Sequence, residues 1–158
     1  MAGKLLAIYL NDHLAGSTGG LELAKRTLGS NRDTQFEPAL ERLAREIDED
    51  RERLRQIMAA LGVGEDRVKR IGAFVFEKVG RLKLNGSWFS YSPLSRLVEL
   101  EGLALGVTGK LALWRALQQV GDRRLGYFDL PGLEQRARDQ QELIEAQRRE
   151  AARIAFES

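Results

Sequence analysis

Between Thr34 and Gly62 apolar residues recur mostly in steps of three and four, at Phe36, Leu40, Leu43, Ile47, Leu54, Ile57 and Leu61. Positions three and four apart share one face of a helix, so this spacing predicts an amphipathic helix about seven turns long. Asp50 stands on that face, where an apolar residue belongs. Thr34 followed three residues later by Glu37 reads as a capping box, and Pro38 suits a first turn. Gly62 marks the end.

The same periodicity predicts four more helices. The first covers Lys4 to Leu28 and ends at Gly29, with Lys25 and Arg26 suited to the negative end of its dipole. Gly16, Gly19 and Gly20 interrupt its middle. Glu65 and Asp66 start a shorter third helix that carries Val68, Ile71, Val75, Val79 and Leu82 on one side and ends near Asn85-Gly86. Phe74 and Phe76 widen its apolar side, which covers the bundle or serves self-association. Ser92-Pro93, an N-cap followed by proline at the first helical position, opens the fourth. Its stripe is Leu97, Leu100, Ala104, Val107, Leu111, Trp114 and Leu117, ending near Gly121, with Gly102, Gly106 and Gly109 breaking it. The fifth runs from about Pro131 onward on Leu133, Ala137, Gln140, Ile144, Gln147, Ala151 and Ile154. The pairs Glu134/Arg138 and Glu145/Arg149 lie outside that stripe. No segment alternates as a strand does, so the expectation is one all-α domain over 1–158.

Composition fits this picture. A chain of 158 residues with 43% hydrophobic content can bury a core, and 30% charged residues with three prolines favour helix over loop. The net charge is only +2, and the pI near 9.1 reflects 19 arginines against 6 lysines. Arg51, Arg53, Arg55, Arg148, Arg149 and Arg153 are interleaved with acids, as on a solvated helix surface, which argues against a nucleic-acid groove. The absence of cysteine removes disulfides, thiolate nucleophiles and Cys-based metal sites. Leu5 to Leu10 is too short a run for a signal peptide, and no apolar stretch reaches the ~20 residues that span a bilayer. The expected setting is soluble and cytoplasmic, without a membrane partner.

Connection lengths add topology. The first and second helices are joined tightly, as are the fourth and fifth, so each pair is expected to form an antiparallel hairpin. The longer stretch between the pairs is able to carry the chain along the bundle. Two hairpins joined by one long crossover is the connectivity of ferritin-like bundles. The chain resembles that superfamily over nearly all its length, in helix order and helix length. The texture of Leu43, Ile47, Asp48, Asp50, Arg53, Leu54 and Ile57 is similar to the second helix of small bacterial ferritin-like stress proteins. The resemblance implies a ferritin-like four-helix bundle of two antiparallel hairpins with a short crossover helix.

Catalytic members of that superfamily hold two metals with a glutamate from each of two helices and a Glu-x-x-His pair from each of the others. Here the single histidine, His13, lies in the first helix. Glu46 is followed at the corresponding spacing by Glu49, and Glu142 by Glu145. A two-histidine di-iron site cannot be assembled within one chain. The resemblance therefore implies the fold and argues against the oxidase.

Acids near core-facing positions still carry chemistry. Asp12, Glu46, Asp50 and Glu101, with His13, are the candidate ligands for a divalent metal such as iron, manganese or calcium. The competing expectation is structural: Asp50 pairs with an arginine, or with Gln140 or Gln147, across the bundle. Glu142 and Glu145 lie off the stripe and suit a solvated face. Asp12 and His13 diverge by about 100° on a helix and form no dyad. No serine has a recognisable base partner.

The run Gly106-Val-Thr-Gly109-Lys110 is superficially like a phosphate loop, as is Gly16 to Gly20. The first of these has Ala104 where the initial glycine of a P-loop belongs, and Leu111 follows its lysine. Close packing is the stronger reading, with glycine faces of the first and fourth helices letting the backbones touch. On that expectation Gly106→Leu clashes and destabilises the fold. Trp88, Phe89, Tyr91, Tyr127 and Phe128 suit the closing of a bundle end. The expected function is a non-catalytic bundle acting through protein–protein contacts, as a homodimer and without a cofactor. The alternative is a carboxylate-based metal-binding protein. No reaction has enough residues in known roles to be named.

Overall fold

The computed structural model describes residues 3–66 and 90–157. Among them are four α-helices, α1 Lys4–Ser30, α2 Glu37–Ala60, α3 Pro93–Leu117 and α4 Leu130–Glu157, with a 3-10 turn Arg123–Tyr127 ahead of α4. No strand occurs among the described residues. The fourth and fifth predicted helices are α3 and α4. The predicted third helix lies outside the described residues, except Glu65 and Asp66, which are not helical.

The apolar stripe of α2 is inside: Phe36, Leu40, Leu43, Leu54, Ile57 and Leu61 are each at most 2% exposed. Burying a side chain of that kind contributes about 1.5–3 kcal/mol. From α3 come Leu97, Leu100, Val107, Leu111, Trp114 and Leu117, and from α4 Ala137, Ile144 and Ala151. The periodicity thus placed the core correctly in three helices.

Helix ends are set by local chemistry. Ser92 caps α3, its hydroxyl accepting from the Ser95 N–H while the Ser95 hydroxyl accepts from Ser92 N–H. Asp129 caps α4 by accepting from the Gly132 N–H at 3.0 Å. A Cβ at position 132 would collide with that carboxylate, so glycine is needed there. At the end of α2, Gly62 adopts φ +70°. Gly62 N–H then donates to Ala59 O and Val63 N–H to Met58 O, which satisfies the last carbonyls. The expected Thr34–Glu37 capping box is not formed. Glu37 instead accepts from Asp33 N–H at 2.7 Å and pairs with Arg32, and α2 begins without a side-chain cap. The reason is register: Phe36 is the N-cap and Glu37 the first helical residue, so Thr34 lies two positions too early, and its N–H donates to Asn31 O.

Side-chain links fix the helix directions. Arg51 of α2 donates to Thr18 near the middle of α1, and Arg115 and Arg148 tie α3 to α4 through Glu134 and Glu101. Gln35, just ahead of α2, donates to Glu150 late in α4. Arg26, late in α1, lies 3.2 Å from Glu99, early in α3. Each helix is therefore antiparallel to its two neighbours, in the cyclic order α1, α2, α4, α3. α2 finishes at the end of the bundle where α1 starts, and α3 starts at the other end.

Two asparagines, Asn11 in α1 and Asn31 at its C-cap, mark those ends. Asn11 donates to Gly64 O and accepts from Asp66 N–H. Asn31, fully buried, donates to the Tyr91 hydroxyl and to Thr27 O and accepts from Arg96 Nε. Tyr91 in turn donates to Glu99 at 2.8 Å, and Arg96 lies over the Phe36 ring. Burial and the neighbouring Glu99 charge push the Tyr91 pKa well up, so the phenol stays a donor. Phe128 packs on the core, whereas Tyr127 is 89% exposed and does not close the bundle end as expected. Trp88 and Phe89 lie outside the described residues. No helix among the described residues is long and apolar enough to cross a membrane.

Candidate functional site

Asp50 sits in the middle of α2, 3% exposed, on the face that the apolar stripe turns inward. A carboxylate in that place must be matched by charge and hydrogen bonds. Lys110 Nζ of α3 donates to Asp50 Oδ2 at 2.6 Å, Gln140 Nε2 of α4 donates to the same oxygen at 3.0 Å, and Arg136 Nε lies 3.3 Å from Oδ1. Gln140 uses both ends of its amide, since Oε1 accepts from Lys110 at 2.5 Å and Nε2 also reaches Glu46 at 3.0 Å. Arg136 donates to Glu49 and to the Glu46 carbonyl, and Arg42 donates to Glu46. Burial lowers the Lys110 pKa, against the opposing charge and hydrogen bond of Asp50. Burial also pushes Glu46 up, but Arg42, Gln140 and Arg136 outweigh it and hold its carboxyl below the ordinary value.

The expected arginine and Gln140 are therefore both partners of Asp50, and Gln147 has no part in the network. Lys110 was not foreseen. Its signal was present, one residue before Leu111 and three after Val107, at the border of an apolar stripe. Beside Gly106 and Gly109 it read only as part of a failed phosphate loop.

The five candidate metal ligands form no single cluster. Glu46 and Asp50 meet through Gln140, Asp12, His13 and Asp50 line one cleft, and Glu101 is half exposed with Arg148 3.9 Å away. No group of three or more His, Asp or Glu suited to a metal occurs among the described residues. The donor chemistry points the same way, because both Asp50 oxygens already face cations. Asp50 thus has no oxygen facing away from a cation. Glu142 is exposed and Glu145 accepts from Arg148 and Arg149, which hold its carboxyl near a pKa of about 2.

The same Asp50–Lys110 pair borders a cleft of about 600 Å³ that opens between α1 and α3 and reaches down to α2. All six mid-helix glycines line it: Gly16, Gly19 and Gly20 from α1, and Gly102, Gly106 and Gly109 from α3. Leu23, Ile47, Leu54, Leu103, Leu113 and Trp114 make most of the remaining wall apolar. The expected contact of glycine on glycine is not made. A Cβ at Gly16, Gly20, Gly106 or Gly109 would meet no heavy atom of the described residues within 4 Å. α1 and α3 are neighbours, as expected, and are linked toward the end of α1 by Arg26–Glu99 and Asn31–Arg96. Glycine costs about 0.8–1.0 kcal/mol against alanine in a helix interior, so six of them cost roughly 5 kcal/mol. At Gly16, Gly20, Gly106 and Gly109, packing against the other described residues does not require that cost.

Polar groups punctuate the apolar wall. His13 is half-buried and meets the Tyr9 ring edge-on, with centroids 4.6 Å apart. Burial lowers its pKa, with Asp12 pulling the other way, which favours the neutral imidazole. Arg51 stands at the cleft, its Nε donating to Thr18. The Trp114 indole N–H is buried and has no hydrogen-bond partner among the described residues. A cleft of this volume, largely apolar with a few polar groups, has the character of a ligand site. Comparison of the chain with protein-family models, with curated proteins and with solved structures finds no match.

Proposed function

We propose that the protein is a non-catalytic, ferritin-like bundle that acts through protein–protein contacts, as a homodimer. The observation that carries this reading is the closed network at mid-bundle, where Lys110, Arg136 and Gln140 satisfy Asp50 and Glu46. Ferritin-like catalysts present carboxylates and imidazoles to metal ions in the bundle core. In this chain an ammonium and a guanidinium supply the positive charge instead, so no carboxylate of the network is left over as acid, base or ligand. The ferritin-like assignment is supported by two antiparallel hairpins with the start of α3 at the opposite end from the finish of α2.

The contact surface is supported by exposed apolar side chains. Leu5, Leu94, Leu105 and Phe156 are 43–82% exposed, and Leu94 and Phe156 stand at the same end of the α3–α4 hairpin. Association buries such groups. Sedimentation velocity at tens of micromolar tests the reading, with a species of twice 17.8 kDa expected. A strict monomer would sink the homodimer. Elemental analysis after exposure to iron, manganese and calcium tests the non-catalytic half. One or two ions per chain, lost in Asp50→Ala, would restore the carboxylate-metal reading in its place.

A further inference from the structure

We infer that the cleft between α1 and α3 binds a flat iron tetrapyrrole of the haem class, with the His13 imidazole as ligand to the iron. This goes beyond the contact reading above and does not depend on it. The first argument is shape. Glycines on both helices leave two stretches of bare backbone along the cleft, and bare backbone makes a flat wall. A Cβ at Gly16, Gly20, Gly106 or Gly109 would meet no heavy atom among the described residues, so packing among those residues gives these positions no reason to be glycine. A ring system lying against the walls does.

The second argument is size and polarity. The volume of about 600 Å³ lies within the roughly 300–1,000 Å³ of small-molecule and cofactor sites. Leu23, Leu103, Leu113 and Trp114 supply the apolar surface that a large ring needs. Helical bundles build cofactor sites in this way, from side chains on facing helices.

Iron ligation and charge make the third. His13 is the chain's one histidine and lines this cleft. A haem iron is commonly held by a single neutral imidazole. Arg51 and Lys110 line the same cleft, and they complement the two carboxylates that a haem carries. Lys110 already serves Asp50 and Gln140, and an ammonium has three protons to donate. The acids at the cleft, Asp12 and Asp50, differ in kind. Asp50 is neutralised by Lys110 and Arg136, and Asp12 stands beside His13 on α1.

The test is titration of the full, untagged chain with hemin and, separately, with iron-free protoporphyrin, followed by absorbance. One hemin per chain with a shifted Soret band is expected. His13→Ala should alter that spectrum and weaken hemin binding at least about tenfold. The same change should leave protoporphyrin binding as it was, because only the iron needs the imidazole. Gly106→Leu should block both ligands, and Gly106→Ala, a milder change, should weaken both if the leucine variant misfolds. Three results would each overturn the proposal: no saturable binding, a hemin spectrum indifferent to His13→Ala, or binding of both ligands unmoved by either Gly106 variant.

Discussion

Lys110 and Asp50 stand on diagonally opposed helices, and the ammonium nitrogen of one lies 2.6 Å from the carboxylate of the other through the middle of the bundle. Such a pair is no measure of stability by itself, because desolvation of two charges offsets much of their attraction. Removing one partner is another matter. Lys110→Met leaves Asp50 buried with Arg136 and Gln140, one cation short, and is expected to cost about 3 kcal/mol. Asp50→Asn combined with Lys110→Met should recover most of that loss. Urea unfolding of the two single variants and the double variant measures the coupling. Additive losses would mean that the pair is not a unit.

The glycine faces give a prediction of opposite sign. Alanine at Gly106 or Gly109 meets no atom of the described residues and gains helix propensity, so each change should stabilise the free protein by about 0.8–1.0 kcal/mol. Thermal unfolding should register this as a rise of a few degrees. A lower melting temperature would instead reveal the backbone contact that the glycine spacing first suggested.

Histidine 13 imposes a pH dependence. Burial holds its pKa below the ordinary 6.5, with Asp12 opposing. Between its folded and unfolded pKa values the unfolded chain binds more protons, so stability rises with pH through that window and is fully present above 6.5. The parent should therefore lose stability between pH 7 and about pH 5.5, and His13→Gln should lose less. Equal losses in the two proteins, read from urea midpoints, would remove His13 as the cause.

The cap of α4 is a closer-range case. Asp129→Ala removes the acceptor for Gly132 N–H, and Gly132→Ala drives the carboxylate away from it. Each should cost about 1 kcal/mol, less whatever propensity alanine returns at position 132. Because both act on one hydrogen bond, the double variant should be little worse than either. A fully additive double variant would show that the cap is not what Gly132 protects.

These cases show where the sequence was readable. Phe36 to Leu61 reported their burial through period alone, because the helix repeat decides which side chains face inward. The Ser92-Pro93 start was equally legible, since a cap is a matter of three or four adjacent residues. Thr34 failed by the same local standard, for α2 starts two residues later than the box requires, with Phe36 as its N-cap. Lys110 and the cleft were harder. A lysine at the rim of a stripe looks solvated until a second helix supplies the acid. Glycines three and four apart describe a smooth face without saying whether protein or empty space lies opposite. Pattern resolves which way a residue points and stays silent on what it finds there.

Asn11 in α1 and Asn31 at its C-cap are twenty positions apart, a separation of about 30 Å. Each holds one flank of the long connection between the hairpins, Gly64 and Asp66 at one end, Tyr91 and Arg96 at the other. α1 therefore works as a surveyor's rod, with the span that the connection must bridge marked off on it by two amides. Both flanks of the connection are thus tied down by hydrogen bonds to asparagines twenty positions apart, in addition to the chain that joins them.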